Sequence, residues 1–125
     1  MTDNATMTIS ELAKAIITLA SEKNVMLVLA ESCTGGMIAA ALTDIAGSSA
    51  VLDRGLVTYS NQAKQDLLGV SDDVLASYGA VSAETAIAMT TGALLKTPAA
   101  QLAASVTGIA GPGGGSQDKP VGLVH

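Results

Sequence analysis

Phe and Trp are absent from this chain, and Tyr occurs only twice. A core without large aromatic rings must be packed from Ala, Val, Leu, Ile and Met, so its elements can approach closely. Little aromatic surface remains on which bases could stack. Only six residues are basic, against 11 acidic ones, and the net charge is −5. The basic residues form no stripe, which argues against nucleic-acid binding through this domain alone. No apolar run reaches the length of a membrane span. The leading segment, Met1 to Met7, is polar and acidic, unlike a signal peptide. A single Cys excludes an internal disulfide and suits a reducing cytoplasm. The only His is His125 at the C-terminal end, where chains fray. Ser-His-Asp and Cys-His mechanisms therefore lose their proton acceptor, and a zinc site lacks ligands. A nucleophile here needs Lys, Tyr or a carboxylate to activate it.

What is present is aliphatic. Hydrophobic residues make up 49% of 125 residues, enough for one ordinary domain with a real core. Residues 1–7 read as a loose lead-in and 8–125 as a single domain. Thr8 and Glu11 have capping-box spacing, and Leu12, Ile16 and Leu19 follow helical spacing to about Asn24. The continuous apolar run from Val25 to Ala30 predicts a strand buried on both faces. A helix from about Gly36 to Ala46 and a less buried strand from Val51 to Thr58 follow, the latter carrying Asp53 and Arg54. Ser60, Ser71 and Ser82 each stand where an N-cap belongs, with Gly69, Gly79 and Pro98 ending the helices. Leu102 to Val106 predicts a third strand, and Val121 to Val124 the start of a fourth after a glycine-rich loop from Thr107. Strands alternating with helices indicate α/β architecture.

The most informative stretch is Glu31-Ser-Cys-Thr-Gly-Gly36, set between a predicted strand and a predicted helix. A hydroxyl and a thiol then sit where backbone N–H groups converge, a place that stabilises an anion or an oxyanion. Ser32 has two readings, a nucleophile or a simple helix cap. Cys33 is an alternative nucleophile or a small packed residue. Lys64 is a general base if burial lowers its pKa, or a solvated lysine on an amphipathic helix. Tyr59 is a proton relay or a core aromatic. The amides of Thr34, Gly35 and Gly36 are candidate oxyanion donors, or serve only the turn. Thr107, Gly108, Gly111 and Gly113 expose backbone that can face a phosphate, although no P-loop signature follows them. Asn61 is a polar substrate contact or the first turn of its helix. Glu31 is a possible orienting carboxylate.

Four segments together resemble one family. Ala30–Gly36, Thr58–Val70, Gly79–Ala86 and Ser105–Gly114 look like the successive motifs of the CinA C-terminal domain family. The resemblance implies a three-layer α/β/α sandwich with a mostly parallel or mixed central sheet. The family pattern continues beyond position 125 with further strand, an arginine-bearing turn and a final helix, so the chain reads as lacking those C-terminal elements. It likewise reads as lacking the N-terminal molybdopterin-binding-like domain of longer CinA proteins. The family includes nicotinamide mononucleotide deamidases. The implied reaction is hydrolysis of that nucleotide's carboxamide to nicotinate mononucleotide and ammonia, with a Ser32, Lys64 and Tyr59 arrangement. No metal or organic cofactor is implied. The expected partner is a small-molecule nucleotide, in the cytoplasm, with self-association covering the abrupt edge at Val121–Val124. The alternative is a catalytically impaired nucleotide-binding or competence-related regulatory module of the same fold.

Overall fold

The computed structural model describes residues 6–125. Most of the predicted lead-in, residues 1–5, lies outside the described residues. The chain runs α1 (Ile9–Glu22), β1 (Leu27–Glu31), α2 (Met37–Thr43), a 3-10 turn (Ser48–Ala50), β2 (Leu52–Val57), α3 (Asn61–Leu68), α4 (Asp72–Tyr78), α5 (Ala83–Lys96) and β3 (Leu102–Val106). The predicted caps form: Thr8, Ser60, Ser71 and Ser82 each accept a backbone N–H with their side chains at the start of α1, α3, α4 and α5. These hydroxyls satisfy amides that a helix start leaves orphaned.

The three strands form one parallel sheet in the order β2-β1-β3. Every residue of the central strand β1 is buried, as its unbroken apolar run predicts. Successive side chains point to opposite faces. Leu27 and Leu29 pack with Ala13 and Ile17 of α1 and Leu42 of α2. Val28 and Ala30 pack on the other face with Leu68 of α3 and Met89 and Ala93 of α5. The result is the expected α/β/α layering. β2 is only partly covered, and its Asp53 and Arg54 pair with each other at 2.6 Å near the surface. Such a pair contributes little stability.

The predicted fourth strand does not form. Val124 makes one isolated antiparallel bridge to Gly108. Pro120 and Gly122 explain this: Leu123 N–H closes a turn onto the Pro120 carbonyl, and Gly122 has φ +93°. Among the described residues the sheet is wholly parallel, not mixed, and the outer edge of β3 carries no strand. Beside that edge an apolar groove of about 430 Å³ is lined by Ile16, Leu19, Leu29, Ile38, Leu102 and Ala104.

One close approach sets where α3 sits. A Cβ placed on Gly92 of α5 would overlap the Leu68 carbonyl oxygen at the end of α3. Helix propensity alone favours Ala over Gly by about 1 kcal/mol. Overlap with main chain costs typically ~1–3 kcal/mol or more, so it wins. We expect Gly92→Ala to lower the denaturant midpoint instead of raising it, which chemical unfolding checks.

Candidate active site

The C-terminal ends of the three strands converge on Ser32. Its N–H donates to the Val106 carbonyl at 2.9 Å, extending the β1–β3 ladder by one rung. On the other side, Thr58 N–H donates to the Glu31 carbonyl at 2.8 Å and ties in the end of β2. Chain order reverses about β1, and ligands of open parallel sheets bind at such switch points.

Glu31 shapes the turn that follows. Its carboxylate accepts from the Thr34 hydroxyl (2.6 Å), Ile38 N–H (3.0 Å) and Ala39 N–H (2.9 Å). A side chain at the end of β1 thus caps α2, whose N-cap position is Gly36 at φ +105°. Ser32 is not the cap, so that reading of it is overturned. Burial tends to raise the Glu31 pKa, but the Thr34 hydroxyl and the Ala39, Ile38 and Gly36 amides outweigh it and hold the carboxyl below its ordinary value.

Ser32 instead meets Lys64. The lysine is on α3, and its side chain runs back toward the helix start. Its Nζ lies 2.9 Å from Ser32 Oγ, 3.0 Å from the Thr58 carbonyl, 3.1 Å from the Tyr59 carbonyl and 3.5 Å from the Ser60 carbonyl. Lys64 is 1% exposed and Ser32 6%, which overturns the solvated-lysine reading. No carboxylate neutralises Lys64; among the described residues the ion pair present is Asp53–Arg54. Burial pushes the Lys64 pKa below the ordinary lysine value, opposed by the electrostatic influence of Cys33. A buried amine with a lowered pKa beside a hydroxyl is the arrangement a general base requires.

The other predicted residues divide. Tyr59 stands at the rim, 69% exposed; its carbonyl, not its phenol, bonds Lys64 and accepts from the Ser32 hydroxyl at 3.4 Å. Asn61 and Gly108 line the same cavity of about 200 Å³ as Ser32, Cys33 and Lys64. Thr107 lines it too, but its hydroxyl donates to the Ala80 carbonyl at 2.7 Å and its N–H to the His125 carbonyl at 3.0 Å. It thus ties two loops together where it lines the cavity. The turn donors need correction as well. Gly35 N–H donates to the Ser32 carbonyl at 3.0 Å, and the Gly36 amide is among the groups that lower the Glu31 pKa. Thr34, Gly35 and Gly36 are absent from the cavity lining because the carboxylate draws the turn toward α2. Gly111 and Gly113 also lie outside it: a Cβ on Gly111 would meet the Val121 side chain, and Gly113 faces open space.

Sequence reasoning missed the carbonyls of Thr58 and Tyr59, since a main-chain acceptor has no residue signature. It also missed the Ala80–Val81 wall. That wall is held where the Thr85 and Ser82 hydroxyls donate to the Gly79 carbonyl at 2.6 and 3.0 Å. The usable signal was the Ser82 cap, which fixes the loop before α5. Among the described residues no cluster of three or more His, Cys, Asp or Glu is placed to hold a metal.

A parallel α/β domain with a buried hydroxyl–amine pair at its strand ends is thus defined. The CinA C-terminal domain family matches residues 9–125, and the chain belongs to that family. A nicotinamide-nucleotide amidohydrolase of Enterobacter agglomerans is 62% identical over 95 residues, covering 76% of this chain and 57% of that protein. A nicotinamide-nucleotide amidohydrolase of Escherichia coli is 48% identical over 124 residues, covering 99% of this chain and 73% of that protein. The crystal structure of a competence/damage inducible protein of Agrobacterium tumefaciens superposes with TM-score 0.87 at 58% identity, over 93% of this chain and 70% of that one. The chain spans from about a quarter to about three quarters of the length of the curated relatives it matches.

Protonation of Glu31 would remove the ionic cap of α2. A carboxyl held below its unfolded pKa adds stability above that pKa and loses it as pH falls through the folded value. We expect Glu31→Gln to cost about 1–3 kcal/mol at neutral pH. The gap to the parent should shrink on acidification below the ordinary carboxylate range, as urea melts across pH will read.

Proposed function

We propose that the chain hydrolyses the carboxamide of nicotinamide mononucleotide to nicotinate mononucleotide and ammonia, with Ser32 as nucleophile and Lys64 as base. The observation that carries this is the 2.9 Å contact between Lys64 Nζ and Ser32 Oγ, buried and without a carboxylate counter-charge. The names of the Enterobacter and Escherichia relatives support the substrate.

A neutral amine has two N–H donors and one lone pair. Directing the N–H groups at the Thr58 and Tyr59 carbonyls, 3.0 and 3.1 Å away, leaves the lone pair for the Ser32 hydroxyl. Lys64 takes the hydroxyl proton as Ser32 Oγ attacks the amide carbon. The resulting ammonium returns that proton to the leaving nitrogen, and ammonia departs. Water, deprotonated by the same amine, then cleaves the ester. Tyr59, exposed at the rim, is the alternative relay for that same proton on its way from Lys64 to the leaving nitrogen, and Asn61, in the cavity lining, is a substrate contact in this reading. The cavity of about 200 Å³ is smaller than a site that encloses a whole drug-sized ligand, so it seats the reacting ring. The rest of the nucleotide extends outward past Gly108 and Ala110. The reaction as written draws only on protein groups and water.

No helix among the described residues is long and apolar enough to cross a membrane. A cytoplasmic setting and self-association belong to the same proposal. The open edge of β3 and the apolar groove beside it support self-association.

We expect Ser32→Ala and Lys64→Met each to lower ammonia release from nicotinamide mononucleotide at least ~10³-fold, and the double variant to be no worse, since the pair acts as a unit. Undiminished turnover in Ser32→Ala would end the proposal. Calorimetric binding without turnover in the parent chain would favour the regulatory alternative. Because Lys64 must be neutral to act, kcat/KM should rise with pH through a pKa below the ordinary lysine value. A pH–rate profile flat from pH ~6 to ~10 would contradict a lysine base. For self-association, sedimentation over a concentration series should show mass rising above the monomer's.

A further inference from the structure

The turn residues Thr34, Gly35 and Gly36 lie outside the cavity lining, and Gly35 N–H is spent on the Ser32 carbonyl, so a tetrahedral intermediate on Ser32 needs other donors. We infer that the oxyanion is held by the backbone N–H groups of Gly108 and Cys33. This rests on the reading of Ser32 as nucleophile.

Peptide groups alternate in direction along the chain beyond β3. The Val106 carbonyl faces β1 and accepts from Ser32 N–H at 2.9 Å. Thr107 faces the opposite way: its N–H donates to the His125 carbonyl at 3.0 Å, and its carbonyl accepts from His125 N–H at 2.8 Å. Ile109 faces that same way, donating to the Leu123 carbonyl at 2.9 Å and accepting from Gly122 N–H at 2.8 Å. In extended backbone, consecutive peptide groups alternate sides. Gly108, between these two residues, therefore turns its N–H back toward the β1 side. β1 has ended there at Glu31, and no described residue accepts this N–H. The ladder thus finishes with one donor presented to the cavity that Ser32 and Lys64 line.

Cys33 meets Gly108 at the same place. A Cβ built on Gly108 would lie 3.1 Å from Cys33 Sγ. The amide after a nucleophile supplies an oxyanion donor in strand–turn–helix hydrolases, and Cys33 N–H likewise has no acceptor among the described residues. Glycine at 108 has a physical reason, because a Cβ there would also stand 2.7 Å from the Leu123 carbonyl oxygen. Only bare backbone can pair with residues 122–125 on one side and face the cavity on the other.

In the attack step the Ser32 proton passes to Lys64, Oγ bonds to the amide carbon, and the carbonyl π pair moves to its oxygen. That oxygen accepts from Gly108 and Cys33 N–H. When the pair returns, the C–N bond breaks and the nitrogen takes the proton from Lys64.

Ester replacement tests this without adding bulk. Glycolic acid in place of Gly108, or the hydroxy-acid analogue of Cys33, deletes one N–H each. For each, kcat for ammonia release should fall ~10²–10³-fold, while KM stays within about threefold. The same replacement at Gly113, in open space, is the control. A second measurement needs no altered backbone: a crystal structure of the parent chain with pyridine-3-boronic acid bonded to Ser32. A boronate oxygen within hydrogen-bond distance of both N–H groups supports the assignment. An oxygen turned to the Thr34–Gly36 turn or to solvent overturns it. Ser32-dependent ammonia release that survives the ester at 108 would overturn the assignment and leave the hydrolase reading standing. Absence of ammonia release in the parent would end the deamidase reading, and the boronate adduct would still decide the donors.

Discussion

A lysine amine buried against a serine hydroxyl, with main-chain carbonyls as its other neighbours, is the constraint around which this domain is arranged. Removing an amine from water is costly for its charged form, and no carboxylate offsets that cost here. Such a group persists only where the surrounding backbone holds it. α3 is held by its contact with Gly92 of α5, the end of β2 by the rung to Glu31, and Ser32 by the rung to Val106. Each support is a main-chain feature of the sheet or of the helices packed on it.

Glu31 shows why the charge balance is kept apart. It precedes Ser32 directly, yet its carboxylate is spent on Thr34, Ile38 and Ala39 at the start of α2. An opposite charge within about 4–6 Å shifts a pKa by ~1–3 units toward the charged form. Aimed at Lys64, the carboxylate would favour the charged form of the amine. Alternation along β1 and the pull of helix amides direct it elsewhere. One residue thus both builds the turn and leaves the lysine without a counter-charge.

Much of the fold was legible because it is decided locally. Thr8, Ser60, Ser71 and Ser82 announce helix starts through hydroxyl–amide bonds a few residues long. β1 shows itself by an apolar run that only a strand covered on both faces needs. The fourth strand was misread because Val121–Val124 has strand composition, while Pro120 and Gly122 fold it into a turn with one bridge. In the site, Ser32 and Lys64 were nameable, but their meeting was not, since residue 64 finds its acceptors among carbonyls. The turn glycines misled through their nearness to Ser32: Gly35 N–H closes the turn onto the Ser32 carbonyl while the Glu31 carboxylate fastens the turn to the start of α2, which no residue spacing announces. Thr107, expected at the substrate, lines the cavity and also holds two loops together, a tie that no motif announces.

The outer wall of the cavity, from Thr107 to Ala110, is fastened through backbone bonds to residues 122–125. Those residues follow all three strands in the chain. During synthesis on a ribosome, which delivers the chain from its N-terminal end, the sheet can pair and Lys64 can find Ser32 while this wall still hangs loose. The order of the chain thus separates the two tasks: the strands that bring Ser32 and Lys64 together come earlier than the segment that fastens the cavity wall.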